Sequence, residues 1–180
     1  MTETIETERL ILRPFQRDDL PHMQRYATRP AFYRYLPIVE QTPESVAAFL
    51  EVRIAVQESL LGTNYTFATE FKDVGHIVGS VRVGESEAEN SSGDLGFALD
   101  SDYQGRGLMT EAVQAMLHHG FTDMGLHRIW ATAYVDNAPS WRLMERVGMQ
   151  RERILRRDRN VRGIWRDSFL YAITNLRHQR

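Results

Sequence analysis

Leu95-Gly96-Phe97-Ala98-Leu99-Asp100-Ser101-Asp102-Tyr103-Gln104-Gly105-Arg106-Gly107-Leu108-Met109-Thr110-Glu111-Ala112 is the stretch on which the reading of this chain turns. It opens as an apolar run of strand character over Leu95–Leu99 and passes through a turn carrying Gly105 and Gly107. It then enters a pattern in which Met109, Ala112, Val113, Met116, Leu117, Gly120, Phe121 and Met124 recur at intervals of three and four, the signature of an amphipathic helix from about Leu108 to Met124. Strand, glycine turn and helix in direct succession make an anion cradle. Glycine lets backbone N–H groups converge without a Cβ in the way, and the first helical turn adds donors with no intrahelical acceptor and a partial positive charge. The expected ligand is a phosphate or diphosphate. A nucleotide-hydrolase loop needs Lys followed by Ser or Thr after its last glycine, where this chain has Leu108-Met109. A dinucleotide fingerprint needs a third glycine where Thr110 stands. Both are excluded.

Outward from this segment, strands are expected at Leu10–Arg13, Tyr65–Glu70, Ile77–Val83, Arg128–Val135, Gln150–Leu155 and Ser168–Ile173. Helical patterns run from Asp19 to Ala27, from Pro43 to Leu61 behind Thr42-Pro43-Glu44, and from Asn137-Ala138-Pro139-Ser140 to Val147-Gly148. Glu85–Gly93, with Asn90-Ser91-Ser92-Gly93, reads as a loop between antiparallel strands. The order of elements predicts one mixed α+β domain over residues 1–180 with a largely antiparallel sheet. The long helix separates Leu95–Leu99 from Arg128–Val135, which lets that pair be parallel through a right-handed crossover.

Composition narrows the chemistry. The 180 residues are 42% hydrophobic and 26% charged, with no cysteine. That removes a disulfide framework, a thiolate zinc site and an acyl-cysteine intermediate. The polar, acidic start from Met1 to Arg9 lacks the features of a secretory signal, and no run approaches the ~20 apolar residues of a membrane helix. The expectation is a soluble cytoplasmic protein with no membrane partner. Net charge is −2, yet Arg142 to Arg166 holds nine arginines against Glu145, Glu152 and Asp158. Such a strip is ordinarily a solvated face, so nucleic acid is not the expected partner. Trp141 and Trp165 read as packing or interface residues, and a homodimer is left open.

Gln104-x-x-Gly107-x-Met109, between Leu95–Leu99 and Thr110-Glu111-Ala112, resembles the acetyl-coenzyme A motif of the GNAT N-acetyltransferases, in particular the RimJ/RimL-type branch. Thr7-Glu8-Arg9-Leu10-Ile11-Leu12-Arg13-Pro14 is similar to that branch's opening strand. Asn137-x-x-Ser140 with Glu145-Arg146-Val147-Gly148-Met149 is similar to its downstream cofactor segment, and Gly163-x-x-x-Asp167 to its closing one. The motif's last position is usually glycine or alanine, and here it is Met109, which can still donate its backbone N–H.

The resemblance implies a GNAT-like sheet with helices on both faces and a splayed parallel strand pair, with acetyl-CoA as co-substrate and no metal. It implies direct attack of an amine on the thioester. The amine would be a protein α-amino group, as in ribosomal-protein acetylation, or a small-molecule amine. The backbone of Phe97 and Leu99 would hold the pantetheine arm where Gly96 suggests a bulge or a close approach. Backbone groups of Gln104, Gly105, Arg106, Gly107, Leu108, Met109 and Thr110 would hold the diphosphate, with the Arg106 side chain either adding charge or lying on the surface. Asn137 would touch the coenzyme, although it also suits a helix N-cap. Ser140 would approach the sulfur and donate to the leaving thiolate. Phe32, Tyr33 and Tyr35 are candidates to line the acceptor pocket. Asp94, Glu152 and Asp158 are candidate bases, and Arg159 stands where some members of the branch carry a glutamate. A module that binds the coenzyme or a protein without turnover is the alternative.

Overall fold

The computed structural model describes residues 4–36, 41–59, 64–85 and 91–175. The strands are β1 (Ile5–Glu6), β2 (Leu10–Arg13), β3 (Asn64–Phe71), β4 (His76–Glu85), β5 (Ser92–Leu99), β6 (Arg128–Tyr134), β7 (Gln150–Val161) and β8 (Ile164–Thr174). The helices are α1 (Leu20–Ala27), α2 (Pro30–Tyr33), α3 (Pro43–Ser59), α4 (Leu108–Thr122) and α5 (Ala138–Arg146). The strands form one sheet in the order β1-β2-β3-β4-β5-β6-β8-β7, and β5–β6 is the parallel pair. This is the mixed α+β architecture expected, with the crossover through α4.

Side-chain alternation splits the sheet into two faces. Phe67, Val81, Val83, Leu95, Ile129 and Ala131 face α4 and α5, packing on Leu108, Ala112, Val113, Met116 and Met144 in the larger core. Ala68 and Ile77 face the other way, under α1 and α3, with Met23, Tyr26, Val46, Leu50 and Ile54. Helices therefore cover both faces, but α1 and α3 pack against β3 and β4. The same face of β5, β6 and β8 is left for the cleft described below.

Several expectations need correction. β1 and the short helix α2 carry no periodic signal, being two and four residues long. β7 runs past Leu155 to Val161 and meets β8 through Arg162 and Gly163, both at positive φ, the backbone of a tight hairpin. β7 is an edge strand and largely exposed, so it shows no hydrophobic alternation. The loop expected over Glu85–Gly93 is shorter: Glu85 ends β4 and Ser92 opens β5, while 86–90 fall outside the described residues. The end of the Pro43–Leu61 pattern at Leu61 also lies outside them.

Gly96 makes no bulge, since the β4–β5 register runs unbroken from Gly79↔Leu99 to Glu85↔Gly93. What it provides is room. A Cβ on Gly96 would stand 3.0 Å from Arg82 Nε and 3.2 Å from its Cγ, so the Arg82 side chain lies directly across the glycine.

Candidate active site

The seam between β5 and β6 creates the site. Their ladder holds only Ser92↔Arg128, Gly93↔Ile129 and Asp94↔Trp130, after which the strands part. The Asp100 N–H donates to the Val78 carbonyl at 2.8 Å, in the register of the β4–β5 pair. In an antiparallel ladder alternate residues point their backbone groups at the partner. Asp94, Gly96 and Ala98 therefore bond to β4, and Phe97 and Leu99 present theirs to the open seam. The Leu99 carbonyl accepts from the Gln104 side-chain amide at 3.2 Å.

Past Leu99, a single 3-10 turn (Ser101–Tyr103) is capped by the Asp100 carboxylate, which accepts from the Asp102 N–H at 3.1 Å. Gly105 and Gly107 then take φ of 76° and 77°, left-handed geometry that side chains resist. The first α4 bond is Glu111 N–H to the Gly107 carbonyl at 3.1 Å. Among the described residues, the N–H groups of Gly105, Arg106, Gly107, Leu108, Met109 and Thr110 meet no acceptor. A row of such donors at a helix start has the geometry and charge to receive an anion.

The turn is clasped from the chain's beginning. One oxygen of Glu111 accepts from the Thr7 hydroxyl at 2.6 Å and the Arg9 N–H at 2.8 Å, and the other from Arg9 Nε at 2.7 Å. Arg9 Nη1 then donates to the Arg106 carbonyl at 2.9 Å. Burial pushes the Glu111 carboxyl up, but the Thr7 hydroxyl and both Arg9 donors outweigh it and hold it below its ordinary value.

The seam and the turn open into one cleft of about 990 Å³. Of the expected site residues, Phe97, Leu99, Gln104, Gly105, Gly107, Leu108, Met109, Thr110, Asn137 and Ser140 line it, as do Phe32 and Tyr35. Asn137 precedes α5, but its side chain makes no capping bond. The Ser140 hydroxyl likewise meets no partner among the described residues. Phe32 also packs on Tyr26, and Tyr35 Oη donates to the Asp136 carbonyl at 3.3 Å.

Two expected side chains lie elsewhere. Arg106 stacks over Tyr103 and donates to the Asp102 carbonyl at 3.1 Å. Tyr33 is buried beneath the Arg162 guanidinium, because α2 turns it away from Phe32. Among the candidate bases only Asp94 lines the cleft, ion-paired to Arg82. Glu152 pairs with Arg128 at 2.7 Å, and Asp158 sits beside Arg159 Nε at 3.7 Å. Trp141 packs edge-on to Phe169 and donates to the Val135 carbonyl at 3.2 Å, while Trp165 is half exposed under Arg157.

Sequence reasoning missed part of the wall: Arg82, Trp130, Thr132, Tyr134 and Ser168. Trp130, Thr132 and Tyr134 alternate along β6 with Ile129, Ala131 and Ala133 of the core, so strand periodicity was the available signal. Burial raises the Tyr134 hydroxyl above its ordinary value, against the opposing pull of Arg159 and Arg166.

The sequence pattern of the acetyltransferase (GNAT) domain matches residues 9–150. The chain belongs to the GNAT acetyltransferases. It is similar to the uncharacterized N-acetyltransferase YnaD of Bacillus subtilis, 32% identical over 173 residues that cover 94% of this chain and 95% of that protein. A GNAT-family acetyltransferase structure from Bacillus anthracis superposes with a TM-score of 0.85 at 28% identity, over 96% of this chain and 98% of that one. Mycobacterium smegmatis RimJ, solved in complex with CoA-disulfide, superposes with a TM-score of 0.82 at 26% identity, over 99% of this chain and 89% of that one. The fold is the GNAT fold, and the chain is an N-acetyltransferase with RimJ/RimL-like relatives. GNAT enzymes use acetyl-CoA, and the unbonded N–H row beside an open strand edge suits a diphosphate followed by an extended, amide-bearing arm.

Proposed function

We propose that this GNAT enzyme transfers the acetyl group of acetyl-CoA to a primary amine by direct attack, using the residues of the cleft. The carrying observation is the unbonded N–H row from Gly105 to Thr110 opening onto the backbone edge of Phe97 and Leu99, which no neighbouring strand covers. The row holds the diphosphate, and the edge pairs with the amides of the pantetheine arm as a strand would. An N–H of this edge near Phe97 faces the thioester carbonyl and stabilises the oxygen as it gains charge. The bound carrier supplies an activated acetyl thioester.

Asn137, free of capping duty, is positioned to bond the carrier. The amine lone pair adds to the carbonyl carbon, the C–S bond breaks, and the Ser140 hydroxyl donates to the sulfur as it departs. The acceptor enters over the exposed sheet face, between Phe32 and Tyr35 on one side and Trp130 and Tyr134 on the other. Asp94 is paired with Arg82, so the ammonium proton passes to water in the open cleft before the lone pair attacks. The acceptor is a small-molecule amine or a protein N-terminus.

Titration calorimetry with coenzyme A, followed by thiol release from acetyl-CoA over a panel of amines, tests this reading. Binding with turnover is expected. Folded protein giving no heat at millimolar coenzyme A refutes the site, and binding with no turnover on any amine or protein extract refutes catalysis.

A further inference from the structure

The charge of the cleft narrows the acceptor. Arg34, Arg82, Arg146 and Arg159 line it, with Asp94 as the sole carboxylate among the described lining residues. Asp94 is already engaged: Arg82 lies across Gly96 to pair with it. Arg159 is aimed by a break in β7, where Arg156, Arg157 and Asp158 drop out of the ladder between Leu155↔Ser168 and Arg159↔Arg166. Asp167 holds the break, accepting from the Arg157 N–H at 2.9 Å and from Arg156 Nη1 at 2.5 Å, and Arg157 takes φ 49°. Arg159 then reaches the cleft near Tyr134, with Asp158 at 3.7 Å as its ion-pair partner and no hydrogen bond among the described residues. Burial, and then the neighbouring cations Arg53 and Arg159, depress the Arg82 guanidinium, which places Arg82 and Arg159 within each other's field. A polycationic amine entering this wall meets repulsion with no free carboxylate to offset it.

Resting on the reading of the cleft as an acetyl-transfer site, we propose that the acceptor is an amine carrying a carboxylate within a few bonds, which Arg159 receives with Arg82 behind it. A guanidinium with open donors matches a carboxylate in two-point geometry, and the pair anchors the acceptor while its amine faces the seam. Free amino acids and peptides with an acidic residue near the N-terminus share this chemistry.

The test compares matched acceptors: an amino acid against its carboxamide, and a peptide with Asp at its second position against the same peptide with Asn. The wild type is expected to favour the acid of a pair by tenfold or more in kcat/KM, chiefly through KM. Arg159→Gln reduces that preference below about twofold, and Arg159→Lys restores part of it. The pair showing the larger preference separates free amino acid from peptide. Equal use of acid and amide, preference for a polyamine, or a preference surviving in Arg159→Gln overturns the proposal. The same pairs are titrated into the protein with and without coenzyme A. A failure of coenzyme binding then refutes the functional reading, while discrimination between acid and amide is decided separately.

Discussion

Glu111→Gln is the sharpest probe of the clasp that shapes the glycine turn before α4. The carboxylate accepts from Thr7, from the Arg9 N–H and from the Arg9 guanidinium at 2.6–2.8 Å. Glutamine keeps one carbonyl oxygen and turns an amide donor toward the other donors. Losing a charge-assisted bond costs about 1.5–3 kcal/mol. The Arg9 side chain is 39% exposed, so screening lowers the expected loss to about 1–2 kcal/mol. For a domain of this length that is a fall in melting temperature of about 3–6 °C.

Arg9 also holds the Arg106 carbonyl, and loosening that single bond should weaken coenzyme binding about three- to tenfold. The folded-state pKa of Glu111 lies below its ordinary 4.5. Its contribution is therefore present in full above that value and lost as pH falls through the depressed one. Melting followed by circular dichroism should show a constant gap between wild type and variant from about pH 7 to pH 5, closing below about pH 4.5. A variant that melts with the wild type at neutral pH, or a gap undiminished in acid, refutes the reasoning.

Gly107→Glu should abolish coenzyme binding by calorimetry while leaving the circular dichroism spectrum native, since it puts a carboxylate on a φ 77° residue beside the donor row; unchanged affinity would mean the phosphate site lies elsewhere. Ser140→Ala should lower kcat about tenfold with little change in coenzyme affinity, and equal turnover removes the sulfur contact. Asp100→Ala removes a fully buried carboxylate 3.5 Å from Arg25 and 3.6 Å from Arg29. Both arginines are partly exposed and can resolvate, so the loss should be about 2 kcal/mol, or about 4–8 °C in melting temperature.

What the sequence disclosed was local. Strand, glycine turn and helix around Gly107 declare themselves through backbone freedom and 3.6-residue periodicity, and both signals survived in the structure. The clasp of Thr7 and Arg9 on Glu111 spans about a hundred residues, and no local pattern encodes it. Gly96 could be read as a bulge or as a close approach, because an isolated glycine in a strand has two causes. The side chain of Arg82, from the neighbouring strand, decides between them. Tyr33 and Tyr35 looked equivalent in an aromatic run, but a single turn of helix buries one and leaves the other on the cleft. The far half of β7 was illegible because an edge strand washed by water on its outer side has no reason to alternate.

The parting of β5 and β6 has a mechanical consequence. A sheet usually weakens at its rims, and this one carries a rim through its middle. The amides of Phe97 and Leu99 should exchange with solvent deuterium as edge amides do, though residues on both sides of them are in ladders. A carrier seated in the seam would act as a temporary ninth strand, joining the two halves of the sheet and slowing that exchange.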